Sequence, residues 1–148
     1  MTYFKDLSDY VYQSEGMAEV LTAKNVGWLE AGYDFAKADP STELLDRIWE
    51  FCKISVAQTR GIHECQLCSD GAYFSERSGE TLLLGTSEIR VFSLEGDIYA
   101  SPSLIYHYID RHKYRPPDVF VEALMKGLQP SEQRYFDKLA ELGLEWRY

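Results

Sequence analysis

No stretch of this sequence approaches the roughly 20 consecutive apolar residues that a membrane-crossing helix needs. The opening Met1-Thr2-Tyr3-Phe4-Lys5-Asp6 has neither the basic start nor the apolar centre of a secretory signal. A cytoplasmic location is therefore the expectation. Basic residues are also scarce: 15 Lys and Arg stand against 24 Asp and Glu, a net charge of −9. Such a chain repels phosphate backbones at long range, which argues against general nucleic-acid binding. The one basic cluster, Arg111, His112, Lys113 and Arg115, reads as cations complementing a helix C-terminus. An acidic surface suits a basic protein partner, although acidity also serves solubility.

Cysteine is nearly absent. Three in 148 residues is an odd number, and in a chain expected to be cytosolic it makes a disulfide framework improbable. Cys52 falls on the apolar side of an expected helix and reads as a small core residue. Catalytic signatures are missing as well. The sequence has no His-Glu-x-x-His, no Gly-x-Ser-x-Gly elbow, no phosphate-binding loop and no dinucleotide fingerprint. Glu64 directly precedes Cys65, whereas nucleobase deaminases place a His-x-Glu well ahead of Pro-Cys-x-x-Cys.

What remains is a well-furnished globular composition. Hydrophobic residues make up 45% and aromatics 14%, with eleven tyrosines, and 148 residues suffice for one domain with its own core. Tyr3 to Tyr12 reads as a terminal arm, and Asn25 to Leu29 as a short strand or extended segment. Asp39-Pro40 signals a helix running to about Val56, with Leu44, Leu45, Ile48 and Cys52 on its apolar stripe. Thr59-Arg60-Gly61 closes it, and Ser69 to Gly79 reads as a surface loop. Thr81 to Leu84 and Glu88 to Phe92 have strand character. Leu94 to Asp97 is a turn leading to a hairpin partner at Ile98 to Ala100. Ser101-Pro102 predicts a helix to about His112. Further helices are expected at Asp118 to Lys126 and at Ser131 to Leu142, the last capped by Ser131 and stopped by Gly143. The expected fold is α+β: a small antiparallel hairpin sheet packed with about four helices and stapled by zinc. Trp28, Tyr33 and Phe35 read as an aromatic cluster of the core, and Tyr106, Tyr108 and Tyr114 as either a surface row or core. Glu88 and Arg90, with Arg60, are candidates for a buried charge pair or for support around a metal.

The chemistry lies in Cys65-x-x-Cys68 and His107-x4-His112, with His63 just ahead of the first cysteine. Thiolate and imidazole are the ligands tetrahedral zinc prefers, and two cysteines two residues apart can turn both sulfurs toward one ion. A thioredoxin-like dithiol would follow a strand and open a helix, but Glu64 and Ser69-Asp70-Gly71 look like loop. On an ideal helix His107 and His112 are about 140° apart, so both bind only if the helix end distorts. Otherwise His63 takes the fourth place. The expected ligands are Cys65, Cys68, His107 and His112, with His63 in reserve.

Four strings, Asn25-Val26-Gly27-Trp28-Leu29, Thr59-Arg60-Gly61-Ile62-His63-Glu64-Cys65-Gln66-Leu67-Cys68, Gly85 to Val91, and Leu104 to Ile109 through Tyr114-Arg115-Pro116-Pro117, together resemble a family of small uncharacterised bacterial proteins, a domain of unknown function. The resemblance spans roughly residues 3 to 125 and excludes the last helix. It implies a bacterial cytoplasmic origin and transfers no activity. The functional expectation is a non-catalytic, zinc-stabilised interaction protein, immunity-like or antitoxin-like, facing a basic protein. The alternative is a zinc-dependent hydrolase or transferase with an open metal position near Glu64. A thiol switch at Cys65 and Cys68 is a third reading.

Overall fold

The computed structural model describes residues 3–10, 23–58, 63–68 and 74–147. Its centre is a hairpin of β5 (Glu88–Phe92) and β6 (Ile98–Pro102). The turn between them is fixed locally: Ser93 N–H donates to Asp97 O (3.0 Å), and Asp97 N–H donates to Ser93 Oγ (2.9 Å). Both strands are buried nearly throughout, because the hairpin lies inside a wider sheet than its sequence suggests. β1 (Lys24–Asn25) runs parallel to β6, β2 (Ser55–Val56) is antiparallel to β5, and β7 (Trp146–Arg147) closes the far edge, in the order β1-β6-β5-β2-β7. A separate two-stranded ribbon pairs β3 (Phe74–Arg77) with β4 (Glu80–Leu83). Four helices are present among the described residues: α1 (Thr42–Cys52), α2 (Ile105–His112), α3 (Asp118–Lys126) and α4 (Gln133–Glu141). The fold is α+β, with helices packed on small, mainly antiparallel sheets.

Several boundaries differ from the sequence reading, each for a local reason. α1 is capped by Ser41, not Asp39: Ser41 is extended and its Oγ accepts the Leu44 N–H at 3.0 Å, satisfying one of the orphan donors of the first turn. The helix stops at Cys52, since Ser55–Val56 pairs with β5 and β7 instead. Ser101-Pro102 finishes β6 rather than opening a helix, and α2 begins three residues later. α4 starts at Gln133 with extended Glu132 before it, so Ser131 is not its cap. The expected loop from Ser69 to Gly79 contains β3, while residues 69–73 lie outside the described residues, as do Val11, Tyr12 and Thr59-Arg60-Gly61.

The amino-terminal arm does pack across the body. Leu7 N–H donates to Asn25 O (2.7 Å), Asn25 N–H to Ser8 O (2.8 Å) and Tyr10 N–H to Ala23 O (2.8 Å). The Asp6 carboxylate accepts from Gly27 N–H (3.0 Å) and from the Tyr114 hydroxyl (2.7 Å), joining the arm to the segment after α2. Trp28 is buried and Phe35 packs edge-on to Tyr114, but Tyr33 is 51% exposed and stacks on Tyr3 instead of entering the core. Tyr106, Tyr108 and Tyr114 are all buried. Arg90 is buried and pairs with the part-buried Glu88 at 2.8 Å, with the guanidinium over the Tyr10 ring and the Tyr10 hydroxyl donating to Glu88.

After α3 the chain reverses at Gly127. A Cβ there would lie 1.9 Å from Phe92 O and 2.5 Å from Ala123 O, and backbone carbonyls in a ladder and a helix cannot step aside. Gly127→Ala is expected to cost about 3 kcal/mol or more, read as a fall in the urea midpoint at unchanged slope.

Candidate metal centre

The thiol loop is held from behind by backbone. His63 N–H donates to Gly85 O at 2.8 Å, and Gly85 N–H donates to the Ser103 hydroxyl at 2.9 Å. The loop is thus sewn to the link between β4 and β5, and that link to the turn entering α2. Gly85 has φ +93°, and a Cβ on it would stand 2.5 Å from His63 O. A side chain is therefore strained by the backbone and blocked by its neighbour. Gly85→Ala is expected to displace the loop and weaken metal binding about tenfold or more, as removal of supporting contacts around metal ligands does, measured by competition with a chromogenic chelator.

The other half of the cluster comes from α2. His107 is buried in the first turn of the helix, and His112 is its half-buried last residue. The expected 140° separation is overcome at the helix end. Lys113 N–H bonds Tyr108 O, five residues back instead of four, and Tyr114 N–H reaches the same carbonyl at 3.0 Å. A turn closed over five residues is wider than an α-turn and rotates less per residue, which swings His112 back toward His107. Lys113 then leaves the helix in the left-handed conformation (φ 57°, ψ 28°). Backbone bonds from Ala38 N–H to Lys113 O and from Arg115 N–H to Ala36 O, both 2.9 Å, fix that exit. The two imidazole centroids end 5.1 Å apart. Arg111 stands in the last turn of α2 and Lys113 at its cap, where positive charge complements a helix C-terminus.

These elements bring together one donor atom from each of Cys65, Cys68, His107 and His112, all within 4.8 Å of one another. Cys65 Sγ lies 3.4 Å from His112 Nε2, and Cys68 Sγ lies 3.4 Å from His107 Nε2. A tetrahedron with Zn–S near 2.3 Å and Zn–N near 2.0 Å has sulfur–nitrogen edges of about 3.6 Å. The donor set and its spacing therefore fit one tetrahedral ion. Burial, ahead of the neighbouring Cys68, pushes the Cys65 thiol up to about 11, so at neutral pH a cation entering the cluster displaces the Cys65 proton. The floor is Tyr108, buried beside His107, whose own ionisation is pushed up by burial and then by the two sulfurs.

The remaining candidates fall elsewhere. His63 joins through its backbone, as described, and Glu64 is exposed. Cys52 is buried, donates toward Ser103 O at 3.7 Å, and is pushed up to about 12 by burial, which makes it an inert core residue. Sequence reasoning missed the positioning roles of Gly85 and Lys113. Gly85 carries a signal, a glycine directly after a strand, but a left-handed lysine carries none. No helix among the described residues is long and apolar enough to cross a membrane.

The chain belongs to the family described as Domain of unknown function (DUF7919), whose model matches residues 2–125. That span holds the entire Cys/His cluster and stops before α4 and β7. No curated protein and no solved structure matches the chain.

Proposed function

We propose that this protein is a zinc-stapled, non-catalytic interaction protein of the bacterial cytoplasm, immunity-like or antitoxin-like, that covers a basic surface on another protein. The carrying observation is the convergence of two thiols and two imidazoles from distant segments within 4.8 Å. Two sulfur and two nitrogen donors in that arrangement favour zinc over harder cations. Bound there, the ion would supply a cross-link between the thiol loop and the end of α2. Four protein donors complete a tetrahedral shell, as structural sites do, whereas a catalytic site keeps one position for water. This favours a structural role over hydrolysis or group transfer at Glu64. The net charge of −9 supports a basic partner through long-range steering.

The test has two readouts. Elemental analysis of protein purified without added metal is expected to give one zinc per chain, and Cys65→Ser is expected to lose it. Capture from a bacterial lysate at moderate salt is expected to recover a basic protein. Metal-free wild-type protein would defeat the zinc assignment, and recovery of no protein would defeat the partner assignment.

A further inference from the structure

The geometry points to a specific seat for that partner: the groove between the β5–β6 turn and α3, which we infer takes an arginine- or lysine-bearing, partly apolar segment of a basic protein. The inference rests on the partner reading above and gives it an address. The groove encloses about 260 Å³, and its lining includes Leu94, Glu95, Asp97, Val119, Glu122 and Lys126.

Its walls are apolar to a degree that water does not favour. Leu94 is 65% exposed at the tip of the turn, and Val119 is 49% exposed on α3. Val119, Glu122 and Lys126 follow helical spacing and so share one face. Tyr99, which also lines the groove, is buried and held edge-on to Phe120 at 5.8 Å. The rim is acidic. Glu95, Asp97 and Glu122 are all exposed, and the Asp97 carboxylate accepts the Ser93 hydroxyl at 3.2 Å. All three rim carboxylates line the same groove as Tyr99, whose ionisation is raised first by burial and then by Asp97, Glu95 and Glu122.

An apolar floor under converging carboxylates matches a long cationic side chain, whose methylene stem covers apolar surface while its head meets the charges. Three carboxylates against the single Lys126 leave the groove net negative, so an acidic segment is disfavoured. The turn is also rigid, closed by Ser93 and Asp97 as described, so little ordering cost opposes docking.

The experiment uses zinc-loaded, ¹⁵N-labelled full-length protein and a fluorescein-labelled nonapeptide alternating leucine and arginine. Saturable binding is expected, with amide shifts concentrated in residues 93–99 and 119–127. Glu95→Lys with Glu122→Lys, and separately Leu94→Ser, are each expected to weaken it about tenfold or more. All three positions are exposed, so the melting temperature should hold. Glu43→Lys with Glu145→Lys makes the same change in net charge at exposed sites elsewhere and should leave binding intact. If the peptide binds but the shifts map elsewhere, or the groove variants bind as well as wild type, the groove inference falls and the partner reading stands. Equal binding by a peptide with glycine for every leucine also overturns the groove, by reducing it to bulk charge. No binding by wild type overturns both.

Discussion

Stripping zinc with a chelator at neutral pH is expected to lower the melting temperature by about 10 °C or more. A structural zinc contributes several kcal/mol to folding, and for a chain of 148 residues each kcal/mol shifts the melting point by roughly 3 °C. The mechanism is specific, because the ion would tie residues 65–68 directly to residues 107–112, whereas the hydrogen bonds at Gly85 link the loop only as far as Ser103. Cys65→Ser and His107→Ala should each lower the melting temperature, and neither variant should respond further to chelator. That second readout separates loss of the ion from the cavity that truncating buried His107 creates. The pH dependence has a definite sign. Cys65 is protonated without metal at neutral pH, its thiol being raised to about 11, so binding releases a proton and acid favours the metal-free state. The stabilisation given by zinc should shrink steadily as pH falls from 7 toward 5. A melting temperature indifferent to chelator across that range would exclude the staple.

The second large effect is expected far from the cluster. Tyr135→Ala should cost about 3–5 kcal/mol, the range for deleting a fully buried aromatic ring. Tyr135 has no exposed surface. Its ring lies 5.6 Å from Phe51 and 5.4 Å from Phe92, and its hydroxyl donates to Arg90 O at 2.6 Å. It thereby binds α1, β5 and α4 into one body. Tyr135→Phe keeps the ring and removes only the hydrogen bond to Arg90 O, so a smaller loss of about 1–3 kcal/mol is expected. The comparison tests whether α4, which lies beyond the matched span of residues 2–125, belongs to the same cooperative unit. Urea unfolding is the measurement. A Tyr135→Ala variant within 1 kcal/mol of wild type would mean that α4 unfolds on its own.

How much of this the sequence disclosed depended on where the physics was local. α3 was legible to the residue, because Asp118 to Lys126 carries its own apolar stripe and follows a double proline. The β5–β6 hairpin was legible from Leu94-Glu95-Gly96-Asp97 between two apolar runs. The cluster's four residues were legible because only sulfur and imidazole identities were needed, not contacts. The helix end that unites His107 with His112 was not, since it depends on a left-handed lysine pinned by residues 36–38, a tertiary arrangement without local signature. The two-residue strands β2 and β7 were hidden because so short a pairing is chosen by the neighbouring strand, and the strand or extended segment expected at Asn25 to Leu29 meets β1 only at Asn25. β3 reads Phe-Ser-Glu-Arg, polar and only partly covered, so its composition mimics a loop.

The contact between Asp6 and Tyr114 spans 108 positions along the chain, and it steadies the stretch immediately behind His112. Contacts so remote in sequence carry a large closure entropy and form once the bulk of the molecule has already condensed. Capture of an ion there would then be a finishing step of self-assembly and not its nucleus. In a refolding time course, metal uptake should trail the far-ultraviolet signal of the sheet and helices.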